Sequence, residues 1–106
     1  MASNPRRLTN YNAVTLRNRI YYLFDDICGL SPTDSQMLYA CELSGIYYPT
    51  LYCMVAAHSY NQLADAIVYD RGSATLGALH EFVRYARVLE LVITVDQARE
   101  GSRNAQ

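Results

Sequence analysis

Hydrophobic positions recur with a helical period through most of this 106-residue chain. From Thr15 onward, Leu16, Ile20, Leu23, Phe24 and Ile27 fall at i, i+4, i+7, i+8 and i+11, one face of a helix. Gly29 follows as a left-handed C-terminal residue, so the first helix stops there. "LSPTDSQMLYACEL" opens a second helix. Ser31 stands at the N-cap, Pro32 at the first helical position where its missing N–H costs nothing, and Asp34 in the first turn near the dipole's positive end. "GIYYPT" reads as a turn, because Pro49 pushes Tyr48 out of the helical region. "TLYCMVAAHSYNQLADAIVY" has no clean stripe. Its length and alanines favour helix, broken near His58 and Ser59 into a short and a longer piece.

The stretch "ALHEFVRYARVLELVITV", residues 78–95, is the most apolar. Its first half spaces Leu79, Phe82, Val83 and Ala86 as a helix does, following a turn at Gly72, a cap at Ser73 and a core position at Leu76. Its second half, rich in Val, Leu and Ile, fits a helix, a buried strand or a membrane-seeking tail by composition alone. Placed after the preceding helix with little or no linker, residues 87–96 form a last helix. Residues 1–12 and 98–106 are polar and expected to be flexible segments flanking a helical domain over 13–97. The expectation is an all-α chain of six short helices.

Composition narrows the class. Fifty-one per cent hydrophobic and 18% charged residues describe a globular chain, long enough for one core. A net charge of -1 argues against duplex nucleic acid, which normally demands a basic excess. The longest apolar run, 88–95, is interrupted by Glu90 and falls far short of the roughly 20 residues that span a bilayer. "MASNPRRLTN" has a basic start without an apolar core behind it, so no secretory leader is expected, and three cysteines are an odd number, so reduced thiols and a cytoplasmic setting are expected. Cys28, Cys41 and Cys53 are expected as small buried hydrophobes. Every basic residue is arginine and none is lysine, which would deny ubiquitin a side-chain acceptor or reflect the base composition of the gene. Ten tyrosines divide between core and half-exposed positions.

Chemistry-bearing motifs are sparse. Asp25 and Asp26 occupy adjacent helical positions that point apart, and His58 and His80 are isolated in sequence. No nucleophile-base, phosphate-loop or metal-ligand spacing occurs. The expectation is a binding protein rather than an enzyme, with no cofactor and no metal.

"LHEFV" at 79–83 and "ARVLELVITV" at 86–95 resemble the last two helices of a death effector domain, the six-helix module of death-receptor adaptors and initiator caspases. "LELVITV" is particularly similar to the first such domain of caspase-8-like proteins, with Glu90–Leu91 where the family has Asp-Leu. "IYYLFDDICGLSPTDSQMLYACELSGIYYP" is similar to its first two helices and a tyrosine-proline turn. The sequence departs from the pattern at the family's helix-six arginine, whose place Val88 takes while Arg87 lies one residue earlier.

The resemblance implies a six-helix antiparallel bundle of the death-fold type that binds other effector domains homotypically. It implies a charged triad of Asp34, Arg87 and Glu90, the last two at i, i+3 on one helix. It also implies an apolar partner patch on helices two and five, with Tyr39 its centre or Ala40 if the alignment slips by one; Tyr39 packed on the core is the structural alternative. The partners would be adaptor or procaspase-8-like effector domains, with self-association among the outcomes. Such a lone module would regulate caspase activation and apoptosis, inhibition of the viral kind being the favoured direction. Two other readings stand beside it. One is a small dimeric RNA binder such as a silencing suppressor, using Arg6, Arg7, Arg84, Arg87, Arg99 and Arg103. The other is a homodimeric structural bundle joined through exposed tyrosines.

Overall fold

A computed structural model describes residues 5–69 and 78–104, with side chains over 14–69 and 79–101. Among these residues the chain is all-helical: α1 Pro5–Cys28, α2 Asp34–Ser44, α3 Tyr48–Ala57, α4 Tyr60–Tyr69 and α5 Ala78–Asn104. The turn, cap and core position expected at Gly72, Ser73 and Leu76 lie outside the described residues. Helix also enters both segments expected to be flexible, since α1 begins at Pro5 and α5 runs to Asn104.

The largest difference from the expectation lies in α5. Residues 78–96, expected as two helices, form one continuous helix and continue past it. The cause is visible in the stripe: Leu79, Phe82, Val83, Ala86, Leu89 and Ile93 are all buried, and their period crosses Arg87 without interruption. No glycine or proline occurs between Ala78 and Glu100 to break it. Five helices are therefore seen where six were expected, with residues 70–77 undescribed.

Helix boundaries follow local chemistry. α2 is capped by Thr33 rather than Ser31. The Thr33 hydroxyl accepts from the Gln36 backbone N–H at 3.1 Å, and the Gln36 side chain accepts from the Thr33 N–H at 2.9 Å. The same reciprocal box opens α4, where Ser59 and Gln62 exchange bonds of 2.9 and 3.1 Å. At the other end of α2, Gly45 adopts φ 72°, and Ile46 N–H reaches the Cys41 carbonyl at 3.0 Å. Tyr48 is the first residue of α3, not part of a turn, because Pro49 sits within the first helical turn, where no N–H is needed. The expected break at His58 and Ser59 is present.

One core joins the five helices. Ile20, Leu23 and Phe24 of α1, Met37 of α2, Leu51 and Val55 of α3, Leu63 of α4 and Phe82, Tyr85 and Leu89 of α5 are fully enclosed. Cys41 is buried among them and Cys28 is half-buried, but Cys53 is exposed, against expectation. α3 turns Leu51, Met54 and Val55 inward, leaving position 53 on the outer side. Burial pushes the Cys41 thiol up to about 11, and the hydroxyls of Tyr48 and Tyr85 upward as well.

Candidate docking face on α2 and α5

α2 and α5 run antiparallel and are fastened at both ends. Arg84 of α5 donates to the Ser44 carbonyl at the C-terminus of α2, where a cation also meets the negative end of the helix dipole. The same guanidinium is held by Glu81 at 2.9 Å, which draws the Glu81 carboxyl below its ordinary range. At the N-terminus of α2, Gln36 donates to Asp96 at 2.9 Å. The two fastenings align the helices so that Tyr39 and Leu43 stand beside Val88, Leu91, Val92 and Val95. Together with Asp96 and Arg99 they line an open groove of about 210 Å³.

The groove is apolar and its walls face solvent. Leu91 is 63% exposed, Leu43 56% and Tyr39 52%, with Leu38 and Val95 also outward. Large aliphatic side chains exposed together in one place mark binding faces in soluble proteins more than single exposed ones do. Tyr39 is on the surface, so the alternative of a core tyrosine at this position does not hold. Ala40, one residue on, is fully buried and belongs to the core.

The charged residues are arranged differently. Asp34 is exposed at the start of α2, where its carboxylate accepts from Tyr21 Oη at 2.8 Å and lies 3.5 Å from Arg17. Arg87 and Glu90 line another recess, of about 20 Å³, with Phe24, Cys28, Ile67, Val83 and Ala86. That volume suits about one water molecule and no larger ligand. Asp34 thus stands with Tyr21 and Arg17, whereas Arg87 and Glu90 share the smaller recess. The Cys28 thiol in this recess is held above its ordinary range, first by burial and then by Glu90, which keeps it protonated and a weak nucleophile. No group of three His, Cys, Asp or Glu capable of holding a metal occurs among the described residues.

A third region joins polar contacts to an open recess of about 430 Å³ lined by Thr15, Asn18, Arg19, Tyr22 and Tyr60. Arg19 of α1 donates to the carbonyls of Val55 and His58 at 3.0 and 2.9 Å, closing the C-terminus of α3. Tyr60 donates to Asp26 at 3.1 Å, which ties α4 to α1. Sequence reasoning passed over Arg19 and weighed Arg84 only as part of a basic strip, not as the cap of α2. The signal was weak, because an arginine's reach to a carbonyl 36 to 40 residues away has no local pattern.

No helix among the described residues is long and apolar enough to cross a membrane. No family model, no curated protein and no solved structure matches this chain.

Proposed function

We propose that the chain is a protein-interaction module that docks a partner through the α2–α5 face. The observation that carries this reading is the groove between two fastened helices, walled by Tyr39, Leu43, Leu91 and Val95. Such a groove suits an amphipathic helix laid along it, with aliphatic side chains entering between α2 and α5. The fastening by Arg84 and Asp96 holds the two walls in register, so little ordering accompanies binding.

The death-effector reading places partner contact on helix two and on the helix of 79–86, so it shares Tyr39 with this face while the groove wall at 88–99 falls on that family's last helix, and it makes the partner another effector domain of an adaptor or procaspase. Its support is the sequence motifs of 79–95 and the exposed position of Tyr39. The charged triad plays no part in the proposal, since Asp34 is engaged with Arg17 and Tyr21. Under this reading the module occupies an effector-domain surface and lowers caspase activation.

The test is a pull-down of purified adaptor and procaspase effector domains by wild type, Tyr39→Ala and Arg87→Ala chains. Capture lost with Tyr39→Ala and kept with Arg87→Ala is the expected result. Loss with Arg87→Ala alone would move the site to the recess beside α1. If wild type captures no effector domain and leaves caspase-8 activation unchanged, the effector reading fails.

A further inference from the structure

We propose that the open recess between α1 and α4 binds a nucleotide unit, with its phosphate on Arg19 and its base on Tyr22. The site lies on a different pair of helices from the docking face, so the inference goes beyond that reading and does not depend on it. Three observations point to a flat ring that carries an oxyanion.

The first is the state of the Arg19 guanidinium. Its Nη1 donates to the carbonyls of Val55 and His58 at 3.0 and 2.9 Å, which pins the group at the end of α3. Among the described residues Nε and Nη2 make no hydrogen bond, yet neither is a buried atom left without a partner, as Arg17 Nε and Tyr85 Oη are. The Nε–Nη2 edge therefore faces solvent. Two N–H groups side by side in one plane match two oxygens of an oxyanion. Because the α3 carbonyls already hold the side chain, little rotamer freedom is lost when that anion arrives.

The second is the lining. Arg19 shares the recess of about 430 Å³ with Thr15, Asn18, Tyr22 and Tyr60, and no acid is among them. Tyr22 is 65% exposed, so its ring offers a face for stacking. The Tyr60 hydroxyl donates to the Tyr22 carbonyl at 3.3 Å and to Asp26 at 3.1 Å, which fixes the second ring and engages the Asp26 carboxylate. The exposed Asn18 amide carries both a donor and an acceptor, as the edge of a base does. The volume falls in the range of small-molecule sites and is more than a bare phosphate fills.

The third is charge. The first 24 residues hold four of the nine basic residues and none of the ten acids. The stretch that supplies Arg19 is thus locally positive on a chain of net charge -1, which draws a phosphate to this end of α1. An acidic peptide side chain would meet the same guanidinium but has no ring to cover Tyr22. A nucleotide satisfies the guanidinium, the ring and the amide together.

Isothermal titration of the full chain tests this with adenosine 5′-monophosphate, adenosine, inorganic phosphate and phenyl phosphate. The nucleotide is expected to bind, and each of the other three to bind about tenfold more weakly or worse. Adenosine reads the phosphate contact without touching Arg19, whose replacement would also open the end of α3. Tyr22→Ala should weaken the nucleotide about tenfold with an unchanged helical circular dichroism spectrum, since the ring is exposed. A single-stranded oligoadenylate separates the two sources of the unit: tighter binding per site than the monomer assigns a single strand, and equal binding assigns the free nucleotide. No binding of the nucleotide, or no effect of Tyr22→Ala, overturns the proposal. So does phenyl phosphate bound as tightly as the nucleotide, which would assign the recess to a phosphorylated tyrosine of a protein.

Discussion

Two arginines do the same job on opposite sides of this molecule, and the surfaces around them differ. Arg84 closes the C-terminus of α2 from α5, and Arg19 closes the C-terminus of α3 from α1. Around Arg19 the neighbouring recess is lined by Thr15, Asn18, Tyr22 and Tyr60, and the Tyr60 hydroxyl is bonded to Asp26. Around Arg84 the seam opens into an apolar groove. The lesson is that a cationic cap fixes the relative height of two helices and leaves the chemistry of their outer face free. One side has used that freedom for tyrosine–aspartate bonds, the other for exposed leucines.

The comparison can be broken at its shared base. Phe82 is fully enclosed in the core common to both sides, so Phe82→Ala should lose about 3–5 kcal/mol in urea unfolding. A loss confined to the groove side, with α1, α3 and α4 retaining cooperative unfolding, would show two cores instead of one. Next in size is Arg19→Ala, which removes a half-buried donor from two carbonyls and should cost about 2 kcal/mol.

An alkaline titration follows. Cys41 lies on the inner side of α2, and its thiol is raised from 9.0 to about 11 by burial. Between those values the unfolded chain has released the proton while the folded chain retains it. The unfolded state then binds fewer protons, so stability falls as pH rises. Stability should be full below pH 9 and decline by about 1–2 kcal/mol towards pH 11, with Tyr48 and Tyr85 continuing the same trend. A urea midpoint unchanged across that window would contradict a closed groove-side core.

Arg84→Ala should cost less than Arg19→Ala, about 1 kcal/mol, because its guanidinium is more than a third exposed and its partner Glu81 is equally wet. Equal losses for the two would remove the distinction between a half-buried cap and a more exposed one. The smallest effect on stability belongs to Leu43→Asp. At 56% exposure it should stay within about 0.5 kcal/mol of wild type while weakening partner capture. A large loss of stability there would mean the leucine is packed in the single chain and the groove is part of the core.

Legibility in the sequence varied with the range of the interaction. The stripe Leu16, Ile20, Leu23 and Phe24 and the break at Ser59 follow from periods and local caps, and the structure bears them out. Both capping boxes, Thr33 with Gln36 and Ser59 with Gln62, were also readable as a hydroxyl three residues ahead of a glutamine. Ser31 drew attention away from the first of these. The division of α5 at Ala86 had no breaker behind it, and the buried period through Leu89 and Ile93 argued for continuity.

The sequence by itself determined the all-helical class, most of the helix positions and the core face of α1 and α5. These depend on neighbours three and four residues apart, whose interactions are set by the helix period alone. Only the tertiary structure decided that Arg84 holds the end of α2, that Asp34 stands with Arg17 and Tyr21 away from Arg87, and that Tyr39 opens onto a groove. Each of those depends on which helices lie side by side and at what height. That arrangement is fixed by one shared core and by contacts tens of residues apart, for which no local spacing in the chain carries a signal.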